Sequence, residues 1–238
     1  MNASLIPPYP CDECPPRRSY IASQAPLPHA LPTFYAAIMK YKVPLIVNLT
    51  AFTDHGQVKS DQYWPLAKDK AWDTTQGYRI EHRDDPKSIG DRHTNVCPAT
   101  HYQLRLSDTE QTHDFELLHI TSWPDFGSFS NNIFASLLSL IDETAKGKEG
   151  PTLVHCSAGI GRSGTVIASL LARDLGSSLP RALKLKPMTT PSLIAEGALK
   201  AAQSMVDHER RFRPKMVQTA NQLGMVAYAI GDLLQRLK

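Results

Sequence analysis

One stretch decides the fold and the chemistry of this chain: His155-Cys156-Ser157-Ala158-Gly159-Ile160-Gly161-Arg162-Ser163-Gly164. The apolar residues 152–154 precede it and are typical of a buried strand. In the segment that follows, Ile167, Leu170 and Leu171 lie on one face of a helix with 3.6 residues per turn. The sequence therefore predicts a strand that runs through a glycine-bearing loop directly into a helix.

A strand, loop and helix in this order can bind an anion. The backbone N–H groups of such a loop converge on one point, and the helix N-terminus adds a partial positive charge there. Gly159 and Gly161 permit the positive φ angles and the close approach that this geometry needs. Arg162 supplies a planar fork that matches two phosphate oxygens. The sequence thus predicts a cradle for a tetrahedral dianion, formed by Ser157, Ala158, Gly159, Ile160, Gly161 and Arg162.

Cys156 lies at the bottom of this predicted cradle and is the candidate nucleophile. A helix N-terminus and a nearby cation favour the thiolate, which is the reactive form of cysteine. Attack of the thiolate on phosphorus would form a cysteinyl-phosphate, and the Ser163 hydroxyl could hydrogen-bond the sulfur and help it leave. The alternative is a buried structural cysteine in a glycine-rich turn. We expect His155 to orient the backbone rather than to shuttle a proton.

The leaving alkoxide or phenolate needs a proton, so the site requires a general acid. The segment Trp123-Pro124-Asp125-Phe126-Gly127 offers Asp125 for this role, with Gly127 as a hinge and Trp123 as the anchor of a moving lid. A type I turn in which Asp125 bonds its own backbone explains the same residues equally well.

Composition excludes several classes of protein. Of 238 residues, 42% are hydrophobic and 21% are charged, as in ordinary globular proteins. The net charge of +3 is too small to indicate nucleic acid or a polybasic membrane anchor as partner. No apolar run is long enough to span a membrane, and the start lacks the features of a secretory signal. We expect a cytoplasmic protein without metal or cofactor, in which Cys11 and Cys14 are incidental loop cysteines rather than zinc ligands.

The pattern of apolar residues predicts alternating helices and strands within one domain, residues 1–238. Strands are expected at 43–49, 77–82, 102–106, 115–121 and 152–154. Helices are expected at 31–42, around 134–141, after the loop at 161, at 193–209 and at 219–237, with an exposed excursion at 176–192. This mixture favours an α/β fold, a twisted mixed sheet with helices on both faces.

Five motifs, in order along the chain, resemble the catalytic domain of protein tyrosine phosphatases. The resemblance implies hydrolysis of phosphotyrosine in proteins through a cysteinyl-phosphate. It also implies phosphotyrosine-containing proteins as partners and no cofactor. The motifs are Tyr20-Ile21-Ala22-Ser23-Gln24-Ala25-Pro26, Gln62-Tyr63-Trp64-Pro65, the acid segment 123–127, the loop 155–164 and Met216-Val217-Gln218-Thr219-Ala220-Asn221-Gln222.

The resemblance assigns further roles. Gln218 would position the water that hydrolyses the cysteinyl-phosphate, with Gln222 beside it, although the residues alone favour two ordinary glutamines on a first helical turn. Asp125 would become the base for that water. Asp54 falls where the family has a glutamate that pairs with the loop arginine, and it is one methylene shorter. Lys59 falls on the lysine that contacts the acid segment.

The chain departs from the family pattern at its start. The family has an N-terminal helix and a K-N-R-Y loop before its N-A-S strand, whereas here Asn2-Ala3-Ser4 follows Met1, so we expect a domain without these segments. One alternative is a dual-specificity or phosphoinositide phosphatase, which shares the cysteine–arginine loop but typically lacks the Q-Y-W-P and glutamine motifs. The other is a catalytically weak phosphotyrosine-binding fragment, which the missing pocket wall favours and the intact catalytic residues oppose.

Overall fold

The computed structural model describes residues 1–12, 14, 17–54, 56–66, 71–91, 94–123, 129–185 and 190–237. Two kinds of element alternate along these residues. The strands are β1 (Ala3–Ile6), β2 (Tyr20–Gln24), β3 (Leu45–Asn48), β4 (Thr53–Asp54), β5 (Gln57–Val58), β6 (Trp72–Asp73), β7 (Arg79–His82), β8 (Lys87–Ile89), β9 (Ala99–Ser107), β10 (Thr112–His119) and β11 (Thr152–Cys156). The helices are α1 (Leu31–Tyr41), α2 (Asn131–Ala145), α3 (Gly161–Leu175), α4 (Leu179–Ala182), α5 (Pro191–Arg210) and α6 (Ala220–Arg236).

Nine of the described strands form one mixed sheet in the order β1-β2-β11-β3-β10-β9-β7-β6, with β8 also paired to β9. The central strands β2, β11, β3 and β10 are parallel neighbours, and the outer pairs are antiparallel. All residues of β11 and β3 are buried, as expected for parallel strands that are covered on both faces. Strands β4 and β5 form a separate hairpin.

Helices cover both faces of the sheet. On one face, Phe34 and Ile38 of α1 pack with Ile46 and Leu153 of the central strands. On the other face, the longer helices α2, α3, α5 and α6 share a core with alternate residues of the same strands, including Val154. Side chains alternate along β11, so neighbouring residues of this strand face different cores. The predicted α/β architecture is confirmed.

Two local predictions were wrong. The segment after α3 is not simply exposed, because it forms a short turn and α4, and Leu179 is fully buried in the core beside α3. Cys11 and Cys14 are joined in a disulfide, with their Cα atoms 5.6 Å apart, rather than being two separate loop cysteines. Within the described residues, we find no helix long and apolar enough to cross a bilayer.

Candidate active site

The loop between β11 and α3 can adopt its path only because residue 159 is glycine. Gly159 has a φ of +70°, and a Cβ there would lie 2.1 Å from the Ser23 carbonyl oxygen of β2. The Ala25 N–H donates hydrogen bonds to the carbonyls of Cys156, at 2.9 Å, and Ser157, at 3.1 Å. The loop therefore packs tightly against the end of β2 and curls back over the strand that carries it.

Cys156 ends β11 and lies just before the N-terminus of the 15-residue helix α3. Its side chain is buried, and the backbone N–H of Gly159 donates a hydrogen bond to its Sγ at 3.2 Å. A backbone donor and a helix N-terminus both stabilise negative charge, and both lie close to this sulfur. The predicted nucleophile thus lies inside the predicted loop.

Arg162 connects the loop to the start of the acid segment. Its side chain is buried, and Nη1 donates to the carbonyl oxygen of Trp123 at 2.9 Å. Trp123 is itself buried and contacts the rings of Phe129 and Phe134, with centroid distances of 4.7 and 5.8 Å. Trp123 is therefore fixed in the core, whereas its predicted role as the anchor of a moving lid stays a prediction. Residues 124–128, including Asp125 and the predicted hinge Gly127, lie outside the described residues.

Gln218 and Gln222 lie against the first residue of α3. A Cβ on Gly161 would stand 2.7 Å from Gln218 Oε1 and 3.0 Å from Gln222 Nε2. The Gln218 N–H donates to Gln222 Oε1 at 2.8 Å, and the Thr219 hydroxyl caps α6 by accepting from the Gln222 N–H at 3.2 Å. The structure therefore brings Gln218, which precedes α6, and Gln222, in the first turn of α6, to the cysteine–arginine loop.

His155 faces the opposite side of β11 from Cys156. Its Nε2 and the Tyr63 hydroxyl form a hydrogen bond of 2.7 Å in the core beside Phe34. Burial lowers the pKa of His155 to about 3, and the nearby charge of Arg162 acts in the same direction. A neutral, fixed imidazole does not act as an acid at neutral pH, and the predicted role of His155 in orienting the backbone stays a prediction.

Three other candidates occupy different positions. The Ser163 hydroxyl is buried and has no hydrogen-bond partner among the described residues, so the predicted bond to Cys156 is not formed here. Asp54 is a half-buried residue of the β4–β5 hairpin. The Lys59 N–H donates to the Phe52 carbonyl at 2.8 Å at the end of that hairpin, and its Nζ donates to Gln57 Oε1 at 3.4 Å. The predicted partnerships of Asp54 and Lys59 stay predictions.

Arg213 is a residue of the site that the sequence analysis missed. It is buried, and its Nε donates to the Gly159 carbonyl oxygen at 2.7 Å. The only signal in the sequence is the basic cluster 210–213 just before the glutamine motif, and such a cluster is usually a solvated surface. Nothing in the spacing shows that one member turns inward to the loop.

The sequence of the chain is similar to the sequences of several known tyrosine phosphatases. Tyrosine-protein phosphatase 1 of Caenorhabditis elegans is 32% identical over 151 residues, which cover 62% of this chain and 14% of that protein. Receptor-type tyrosine-protein phosphatase eta of Gallus gallus is 26% identical over 242 residues, covering 100% and 15%. Tyrosine-protein phosphatase non-receptor type 2 of Homo sapiens is 32% identical over 169 residues, covering 69% and 38%. The chain spans well under half the length of each of these relatives.

The family model described as protein-tyrosine phosphatase matches residues 1–231. The matched range contains the cysteine–arginine loop, the acid segment and the glutamine motif. Because it extends over nearly the whole chain, the protein belongs to the protein-tyrosine phosphatase family.

Proposed function

We propose that this chain hydrolyses phosphotyrosine in proteins through a cysteinyl-phosphate. The observation that supports this most is the convergence of Cys156, Arg162 and Gln218 at the start of α3. A nucleophile, a cation that matches phosphate and a group able to hold water are the parts that such a two-step reaction needs. The names of the relatives, which are tyrosine phosphatases, point in the same direction.

In the first step, the Cys156 thiolate attacks phosphorus. The S–P bond forms while the bond between phosphorus and the tyrosine oxygen breaks, and the electron pair of that bond goes to the phenolate. Asp125 gives the phenolate its proton. The loop N–H groups and Arg162 hold the phosphoryl oxygens, whose charge they stabilise in the transition state.

In the second step, water attacks the phosphorus of the cysteinyl-phosphate. Asp125, now ionised, accepts a proton from the water, and Gln218 orients the water with Gln222 behind it. The S–P bond breaks and its electrons return to Sγ, where the Gly159 N–H and the N-terminus of α3 stabilise the thiolate. Inorganic phosphate then leaves the loop.

The proposal extends to organisation and location. Residues 1–238 act as one catalytic unit on phosphotyrosine-containing proteins, which is supported by the single central sheet beneath the site. The cytoplasmic location stays a prediction from the sequence, and fractionation of cells that express the tagged chain tests it.

The test is release of phosphate by the purified chain from an aryl phosphate and from matched phosphotyrosine and phosphoserine peptides. We expect turnover of the aryl phosphate and the phosphotyrosine peptide, and a preference over phosphoserine. Cys156→Ser should abolish turnover but keep phosphate binding, because the backbone and Arg162 form the cradle. Cys97→Ser is the matched control, since Cys97 is the other free, buried thiol of the described residues. Turnover by Cys156→Ser that approaches the Cys97→Ser rate would refute the nucleophile.

A further inference from the structure

We propose that Arg213 is a positioning residue that holds the phosphate loop in its anion-binding conformation. This inference rests on the proposed function, because it concerns the same loop. It assigns a role to a residue just after α5. Arg213 follows the loop by some fifty residues in sequence and contacts it only in the folded chain.

The contacts of Arg213 all reach the outer side of the loop or the strand beside it. Nε donates to the Gly159 carbonyl at 2.7 Å, and Nη2 donates to the Ala158 carbonyl at 3.2 Å. Nη1 donates to Asn2 Oδ1 at 2.9 Å, just before β1. One planar guanidinium thus bridges two consecutive loop peptides and the first strand, which a flexible ammonium group could not do as rigidly.

One of these peptide groups connects Arg213 directly to the nucleophile. The carbonyl of the Ala158–Gly159 peptide accepts from Arg213, and the N–H of the same peptide donates to Cys156 Sγ. Because a peptide group is planar, its N–H and C=O point in opposite directions. A hydrogen bond that holds the carbonyl outward therefore holds the N–H inward, toward the sulfur and the anion site.

The same reasoning applies to the next peptide. The Gly159 carbonyl accepts from Arg213 Nε, so the N–H of Ile160 is directed to the inside of the loop. Gly159 is the residue that could most easily let these peptides rotate, because glycine has few steric limits on φ and ψ. Arg213 opposes that rotation on both sides of the glycine.

The charge of Arg213 also favours the anion-binding conformation of the loop. The side chain is 6% exposed, and its hydrogen bonds in the described part of the chain go to uncharged oxygens. Burial lowers the pKa of Arg213, and the negative charge of Cys156 acts in the opposite direction. The buried cation therefore lies where it would attract a negative charge on the Cys156 sulfur.

The experiment compares Arg213→Met with Arg211→Met, which removes the same charge from an exposed neighbour. We measure kcat and KM for an aryl phosphate, and the rate at which iodoacetate alkylates Cys156 with and without vanadate. Arg213→Met should lower kcat/KM about 10- to 100-fold and weaken the protection by vanadate similarly, because hydrogen bonds from a charged donor are lost. Arg213→Lys should restore part of the alkylation rate but little of the vanadate protection, since it keeps the charge without the fork.

The readouts separate this inference from the proposed function. If the wild type shows no turnover but vanadate protects Cys156 in an Arg213-dependent way, the function fails and the positioning role stands. Equal effects of Arg213→Met and Arg211→Met on both readouts would overturn the positioning role alone.

If Arg213→Met does not fold, as judged by its thermal transition, variants of Asn2 decide instead. Asn2→Leu removes the acceptor for Nη1 and should weaken vanadate binding about 3- to 10-fold, whereas Asn2→Asp keeps an acceptor and should stay close to the wild type. Equal vanadate affinities for these two variants would overturn the inference.

Discussion

At the level of single residues, the site depends on which side chains carry a charge. Cys156 has a backbone donor on its sulfur and a helix N-terminus beside it, and both stabilise the negative charge that the proposed nucleophile carries. Its neighbour His155 is placed to be neutral, since burial lowers its pKa and Tyr63 holds its Nε2. Two adjacent residues of one strand thus have opposite roles because they face different sides of the sheet. Neither is available to protonate the leaving group, so we propose Asp125 for that role.

Asp125→Asn should lower kcat about 10²- to 10⁴-fold for substrates with poor leaving groups, because the phenolate would leave unprotonated. The loss should shrink for aryl phosphates whose phenols are strong acids, since these need no proton. A series of aryl phosphates of increasing phenol pKa measures this dependence. The same loss across the whole series would remove Asp125 from the acid role.

At the level of elements, the site forms where the starts of α3 and α6 meet. Gly161 is the first residue of α3. Gln218 and Gln222 occupy the space that a side chain at position 161 would need. Gly164 allows a second close approach, because a Cβ on it would lie 2.7 Å from the backbone nitrogen of Val217. The loop before α6 therefore packs on α3 through two glycines, and this contact brings Gln218 and Gln222 to the start of α3.

Gly161→Ala should keep the fold and impair the second chemical step. The new methyl group would displace Gln218 Oε1, which lies 2.7 Å from its position, and a shift of this size can reduce the rate about 10- to 100-fold. The cysteinyl-phosphate should then accumulate, so rapid-mixing assays should show a burst of phenol followed by a slow steady state.

Gly224→Ala is the matched control for this change. Gly224 lies in α6, and a Cβ there would meet nothing within 4 Å. We expect normal turnover and a stability gain of up to about 1 kcal/mol, because alanine costs less conformational entropy in a helix than glycine. Normal turnover in both variants would contradict the role given to Gln218.

The elements differ in how far local sequence determines them. Helix α1 follows its predicted boundaries because its apolar residues repeat with helical spacing, and the strand before the loop is apolar throughout. The burial of Leu179 was missed because its immediate neighbours, Ser178 and Pro180, are turn-forming residues, and only packing in the core beside α3 buries it. Arg213 was missed for a similar reason, since its partners Ala158 and Gly159 are brought to it by tertiary structure. Local periodicity cannot report such contacts.

At the level of the whole molecule, one buried carboxyl gives the stability of the fold a pH dependence. Glu209, near the end of α5, is fully buried, and neither of its carboxyl oxygens has a hydrogen-bond partner in the described part of the chain. Burial raises the pKa of Glu209 well above its usual value, although the charge of Arg210 opposes this. At pH values between the pKa of the unfolded chain and that of the folded protein, the folded protein therefore keeps a proton on Glu209 that the unfolded chain has released.

The difference in protonation of Glu209 between the folded and unfolded states determines whether stability rises or falls with pH. Below the ordinary glutamate pKa, near 4.3, both states hold the proton and Glu209 carries no penalty. As pH rises above that value, the unfolded state loses its proton first, so stability should fall by about 1.4 kcal/mol per pH unit until the folded carboxyl ionises.

Glu209→Gln should abolish this contribution and stabilise the protein at neutral pH, because the amide cannot ionise. Urea unfolding between pH 4 and pH 8 measures the free energy of unfolding for both proteins. Glu196→Gln is the control, since it removes an exposed carboxyl from the same helix. A wild type and a Glu209→Gln variant with parallel stability curves would show that Glu209 is not a buried, protonated carboxyl.

The position of β11 in the sheet also determines when the nucleophile acquires its surroundings during folding. β11 pairs on one side with β2 and on the other with β3, and both partners come from the first fifth of the chain. Parallel pairing over such distances closes long loops of chain and is slow compared with helix formation. On the ribosome, the first strands must therefore wait until β11 has emerged before the centre of the sheet can close. Cys156 is thus an ordinary, accessible thiol in the nascent protein and becomes a sheltered one only when the sheet is complete.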